Sequence, residues 1–171
     1  MENKQFGEWE VLESIQDRCF VVKQENDSKK YILKKGRRVD REIKLLKELE
    51  HPNILTMVDY NLDTDDPYHV TEYCEFGKIT TARFINDPKA VNVLLQRIFR
   101  GLAYCWSKGI APRDFEIFLK DNGEETPHPV IGDLESFKKI RSINDLNKVT
   151  EGWKKKKERI ISGALFNTQY G

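Results

Sequence analysis

The sequence predicts an α+β chain of two unequal parts: a five-stranded antiparallel sheet that carries one helix, then a reduced, mainly helical region. Three observations predict it. Short β-branched and aromatic runs, separated by turn residues, cluster between Trp9 and Cys74. One stretch among them, Arg37 to Glu50, has helical periodicity instead. After a break at Gly77 the pattern turns into one long helix that ends near Lys108-Gly109. The expected division is therefore a sheet part with its connecting strand over 1–76 and a helical part over 77–171.

Each element has its own signal. WEVLESI, CFVVKQ and KKYILKK form three strands between Trp9 and Lys35, and Asn26-Asp27-Ser28 supplies turn chemistry between the last two. Val39, Ile43, Leu45, Leu46 and Leu49 fall on one face of the helix that follows. His51-Pro52-Asn53 stops that helix, because proline disfavours α geometry in the residue before it. Ile54–Tyr60 and Tyr68–Cys74 complete the sheet across an acidic loop. Ile79–Phe84 reads as the start of a helix. Asp87 and Pro88 read as the N-cap and first residue of the next, with Val91, Leu94, Leu95, Ile98, Leu102, Ala103 and Trp106 on a broad buried face. Ser142 or Asn144 opens a last helix that carries Ile143, Leu146, Val149, Trp153, Ile160, Ile161 and Leu165.

Composition narrows the classes. With 39% hydrophobic and 33% charged residues the chain is globular with a polar surface, and a net charge of +1 gives no bulk attraction to nucleic acid or membranes. No apolar run is long enough to span a bilayer, and the N-terminus lacks an apolar signal core. Cys19, Cys74 and Cys105 are odd in number and widely spaced, so they form neither a zinc pattern nor a disulfide framework. These features lead to the expectation of a cytoplasmic protein, in its own cell or delivered into a host cell. Lys154–Lys157 is a solvated helical turn that offers a contact to an acidic partner. Nothing aromatic interleaves there, which argues against single-stranded nucleic acid.

In the second part, two carboxylates stand beside short apolar runs. PRD (112–114) precedes Ile117-Phe118-Leu119, and DLE (133–135) follows Val130-Ile131. These triplets resemble the HRD catalytic loop and DFG metal-binding turn of protein kinases. Other segments carry the resemblance in the same order along the chain. YILK (31–34) is similar to the VAIK strand, and REIKLLKELEHPNIL (41–55) to the αC helix and the strand after it, most closely in cyclin-dependent kinases. VTEYCEFG (70–77) resembles the hinge, and RGLAYCWSKGIAPRD (100–114) the helix leading into HRD.

The resemblance implies a kinase-like fold with an N-lobe, a hinge and a truncated C-lobe. It implies ATP with Mg²⁺ as cofactor. Lys34 would face the phosphates with Glu42 as its helix partner. Thr71 would be the gatekeeper, Glu72, Tyr73 and Cys74 would offer backbone groups to an adenine, Asp133 would ligate the metal, and Asp114 would be the catalytic base. The departures are as specific. SIQDRCFVV (14–22) contains no glycine where kinases use several to bring backbone N–H groups against phosphate, and Gln16 and Arg18 stand near those positions. About three residues are missing between Asp114 and Ile117, and with them a lysine and a metal-binding asparagine. Pro112 and Glu135 replace the usual histidine and glycine. Two functions follow from this balance. The favoured one is a pseudokinase that regulates a protein partner, itself a kinase or a kinase substrate. The alternative is a minimal Ser/Thr kinase that uses Lys34, Glu42, Asp114 and Asp133.

Overall fold

The computed structural model describes residues 5–36, 38–79, 87–152 and 154–155. Strands β1 (Gln5–Phe6), β2 (Trp9–Gln16), β3 (Cys19–Gln24), β4 (Tyr31–Lys35), β5 (Met57–Asn61) and β6 (Tyr68–Glu72) form one sheet in the order β1-β2-β3-β4-β6-β5. All its pairs are antiparallel. Alternation along these strands sends Trp9, Phe20, Val22, Leu33, Tyr68 and Val70 into a core on one face. The expected count of five strands is thus corrected to six among the described residues. Gly7 sits at φ +58°, which folds Gln5 and Phe6 back onto Glu10 and Trp9.

Helix α1 (Val39–Glu48) buries Val39, Glu42, Ile43, Leu45 and Leu46, with Asp40 and Glu42 in its first turn where the helix dipole favours carboxylates. It is shorter than the expected 37–50, because Leu49 is already extended. Ile54 is likewise outside β5 and makes a parallel bridge to Ile131 instead. Helix α2 (Pro88–Ser107) begins as its sequence dictates, with the Asp87 carboxylate accepting from Lys89 N at 2.9 Å and Pro88 in the first turn. After it come β7 (Ile110–Ala111), β8 (Glu116–Lys120), β9 (His128–Gly132), a 3₁₀ turn (Leu134–Ser136) and β10 (Lys138–Lys139). Strand β8 pairs with β9, and β10 pairs with β7. A helix over 143–152, α3, is opened by Ser142 and Asp145 in a reciprocal cap.

The two parts share one apolar core. Leu45, Leu46 and Leu49 of α1 pack with Ile54, Leu94, Cys105, Ile110, Ile117, Leu119, Ile131, Leu134 and Phe137. The backbone reinforces the join, since Leu55 N donates to Ile131 O and Ile131 N to Asn53 O, each at 2.9 Å. The buried face of α2 is narrower than expected: Ala90, Leu94, Gly101 and Cys105 are buried, whereas Leu95, Ala103 and Trp106 are exposed. The covered stripe is the one that meets β9, β7 and the turn at 51–53, with Ile98, Leu102 and Tyr104 partly buried beside it. The expected helix start at Ile79 is also corrected. Ile79 N donates to Ile117 O and Lys78 bridges Phe118, so this segment is extended against β8. Residues 80–86, Trp153, Lys156, Lys157, Ile160, Ile161 and Leu165 lie outside the described residues. In α3, Val149 is buried but Ile143 is exposed.

Gly101 marks the closest approach of α2 to the rest. A Cβ there would lie 2.8 Å from Ile131 Cδ1 and 2.9 Å from the Asn53 carbonyl oxygen. Helix propensity alone favours alanine by about 1 kcal/mol, but a backbone oxygen cannot step aside and overpacking of this kind costs about 1–3 kcal/mol. Gly101→Ala is therefore expected to lower the urea midpoint. Gly152→Ala, in α3 with open space around it, should raise that midpoint slightly.

Candidate functional site

Residues directly opposite each other in an antiparallel pair share a face. The pairs Cys19↔Lys34, Val21↔Ile32, Lys34↔His69 and Ile32↔Thr71 therefore line one surface of the sheet, opposite the apolar core of β2–β4. Helix α1 lays Glu42 against this surface. Lys34 Nζ donates to Glu42 Oε2 at 2.9 Å and to Asp133 Oδ1 at 2.8 Å, and Glu135 Oε2 lies 3.8 Å away. A strand, a helix and the DLE turn thus meet at one ammonium.

Glu42 is the buried member, at 2% exposure. Its second oxygen, Oε1, accepts from Leu134 N at 3.0 Å, so the same carboxylate holds both the strand lysine and the turn. Burial pushes this carboxyl up, but the approach of His69 and the Lys34 charge outweigh it and hold the group at about 2. Burial works against the Lys34 ammonium in the same way. Glu42 and Asp133 prevail there too and hold its pKa well above the ordinary lysine range. Asp133 has φ +57° and ψ +56°, the one non-glycine residue with positive φ among those described. Asp is among the few side chains that tolerate this region, and strain of this kind gathers at functional sites.

Asp114 is tied to the same turn. Ser136 Oγ accepts from Asp114 N at 2.9 Å and donates to Asp114 O at 2.6 Å. Phe115 and Phe137 stack edge to face at 6.3 Å, and Arg41 of α1 donates to Phe137 O. Strand β8 begins at Glu116, two residues after Asp114, so nothing intervenes but Phe115. Across the sheet, β2 and β3 are joined by Asp17-Arg18 alone, with Gln16 opposite Cys19. Arg18 O accepts from Lys35 N, and the Arg18 side chain runs over Gly36. The hairpin that would cover a phosphate is thus a closed two-residue turn docked on the end of β4.

The connecting strand is also placed. Thr71 is buried at the end of β6, and Glu72 Oε2 accepts from Lys120 Nζ at 2.8 Å. Cys74 is buried, and burial together with the Glu72 charge pushes its thiol up to about 12. Beyond it, Phe76 N donates to Leu119 O and Leu119 N to Gly77 O, which straps the segment to β8.

The family model described as protein kinase domain matches residues 8–151. The chain belongs to the protein kinase superfamily. Among its relatives, calcium-dependent protein kinase 5 of Plasmodium falciparum is 35% identical over 101 residues, 55% of this chain and 18% of the relative. The CTD kinase subunit alpha of Schizosaccharomyces pombe is 26% identical over 134 residues, 75% of this chain and 22% of the relative. Human serine/threonine-protein kinase ULK1 is 32% identical over 93 residues, 52% of this chain and 9% of the relative. The chain therefore spans about a fifth or less of the length of these relatives.

Of the residues expected to form a kinase-type site, Lys34, Glu42 and Asp133 converge, Thr71 shares their face, and Asp114 is bound to the DLE turn. Glu72, Tyr73 and Cys74 run along the edge toward β8. Among the described residues Lys34 is the cation on this face that a nucleotide's phosphates would meet, and the β2–β3 turn supplies no glycine. For a metal, no group of three or more His, Cys, Asp or Glu side chains among the described residues is arranged to hold an ion. Mg²⁺ is commonly held by one or two carboxylates plus phosphate oxygens, and Asp133 meets that lesser requirement. No helix among the described residues is long and apolar enough to cross a membrane. Sequence reasoning passed over His69 and Ser136. The first had a signal, because it stands two residues before Thr71 and so on the same face.

The Glu42 geometry sets an acid response. Its carboxyl is held at about 2 against an ordinary 4.5, so its contribution to stability is complete above pH 4.5 and is lost as pH falls toward 2. Glu42→Gln should destabilise the protein at neutral pH by about 2 kcal/mol, less than the roughly 3–5 kcal/mol of an orphaned buried charge because Lys34 keeps Asp133. The gap between variant and wild type should close as pH falls through that window, as followed by denaturant titration at each pH.

Proposed function

We propose that this chain is a divergent kinase-like domain that works as a pseudokinase: it binds nucleotide weakly and regulates a protein partner. That partner would be a kinase or a kinase substrate, in the cytoplasm of its own cell or of a host cell. The observation that carries the reading is the two-residue step from Asp114 to β8. It leaves no backbone on which to mount a lysine and a second metal ligand beside Asp114. The glycine-free, two-residue β2–β3 turn supports the same reading, because it offers no backbone N–H cradle for a triphosphate.

In this reading Lys34 binds a phosphate oxygen, Glu42 fixes the direction of the ammonium, and the segment from Glu72 to Cys74 meets the adenine. Mg²⁺, when bound with a nucleotide, would neutralise phosphate charge, and Asp133 is the residue that would hold it. A second reading, a minimal Ser/Thr kinase, is favoured by one specific observation. Lys34, Glu42 and Asp133 form a closed ion network with Asp114 fastened to its turn. There Asp114 would accept the proton of a substrate hydroxyl.

Thermal unfolding with ATP, alone and with Mg²⁺ or Mn²⁺, tests both. A ligand at 100 times its dissociation constant stabilises a protein by about 2.7 kcal/mol. We expect a shift only at high ATP, its loss in Lys34→Ala, and no incorporation of phosphate from labelled ATP. Absence of any shift under every condition would refute nucleotide binding. Autophosphorylation that disappears in Asp114→Ala would replace the pseudokinase reading with the enzyme.

A further inference from the structure

Glu42 Oε2 is approached from two sides. Lys34 Nζ donates to it, and His69 Nε2 lies 3.4 Å away, at ion-pair distance without a formed hydrogen bond. His69 is 2% exposed, and among the described residues neither ring nitrogen has a hydrogen-bond partner. Buried polar groups are nearly always satisfied, and one that is not calls for an explanation. The polar groups around it come from three elements. Glu42 faces it from α1, Lys34 stands opposite it in β4, and Tyr60 stands opposite it in β5. Asp133 and Glu135 reach this group only through Lys34.

Lys34 cannot serve Glu42 and an incoming anion equally. Turning the ammonium toward a phosphate weakens its bond to Oε2, and a buried carboxylate that loses its cation is strongly penalised. Leu134 N would still hold Oε1, but an amide brings no charge. We infer that His69 is a positioning residue that takes over Glu42 when Lys34 is drawn away. The imidazole takes a proton from solvent, becomes an imidazolium, and donates from Nε2 to Glu42 Oε2, so that α1 and the DLE turn stay seated. The phosphate half of this inference rests on the nucleotide-binding reading; the hand-over between lysine and histidine does not.

The test removes the lysine. Imidazole changes charge between about pH 5 and 8. In full-length Lys34→Ala, folding should take up a proton at His69, so the stability this supplies is present at low pH and lost as pH rises. The urea midpoint of Lys34→Ala should approach that of wild type at the acidic end of this window and fall well below it at the basic end. In Lys34→Ala/His69→Leu that recovery at the acidic end should be smaller, because only protonation of the buried Glu42 itself is left to supply it. His69→Gln, polar but unable to take up a proton, replaces the leucine if that variant does not fold. Parallel curves for the single and double variants would overturn the inference. Calorimetric titration of wild type with ATP in two buffers of different ionisation enthalpy adds the second arm. Proton uptake on binding, absent in His69→Leu, supports the hand-over, and binding without proton uptake overturns it. If ATP binds neither protein, the nucleotide reading falls while the pH curves of Lys34→Ala still decide the role of His69.

Discussion

A single buried carboxylate holds this molecule's halves in register. Glu42 takes one bond from the sheet through Lys34 and another from the second part through Leu134 N. Without it Leu134 N would lose this acceptor and Lys34 would be left with Asp133. Removing any one of the three leaves a charge or an amide buried without its partner, which is why helix, strand and turn are found in one arrangement. Arg41, one residue earlier on α1, repeats the link by donating to Phe137 O. The helix therefore reads the position of the DLE turn at two points, the first residue of its 3₁₀ turn and the residue just after it.

Much of this was legible because kinase ancestry is written in local segments. Lys34 lies near the end of a strand, Glu42 in the first turn of a helix and Asp133 just after a strand, and each could be placed without knowing the rest. The α2 boundaries were equally local, set by Asp87-Pro88 and Gly109. What escaped depends on partners distant in sequence. The buried face of α2 reads as broad in periodicity alone, but Leu95 is 45% exposed because burial depends on what packs above it. Strand β1 is two residues long and exists only because Gly7 turns it back. The left-handed Asp133 has no sequence signature beyond being an aspartate, and the bonds of Ser136 to Asp114 join residues 22 apart.

The site keeps the charges of its superfamily while the backbone around them is shortened. Three carboxylates surround one ammonium within 4 Å, at 2.9, 2.8 and 3.8 Å. In this state the cluster is complete in itself, and an anion must compete with Asp133 and Glu135 for Lys34. The absence of a glycine cradle removes the backbone donors that would offset that competition. Charge balance and backbone geometry thus both support the proposal of weak nucleotide binding made above.

The backbone join between residues 53–55 and Ile131 has a consequence for how the molecule comes apart. Ile131 gives and accepts a hydrogen bond there, and its side chain lies in a core to which α1, α2, β7, β8 and β9 all contribute. Neither part can open that core without exposing the other's apolar surface. The boundary near residue 77, plain in the order of elements, is therefore no boundary for unfolding. The amides of Leu55 and Ile131 should exchange with solvent only when the whole described fold opens, as expected if the two parts unfold as one cooperative unit.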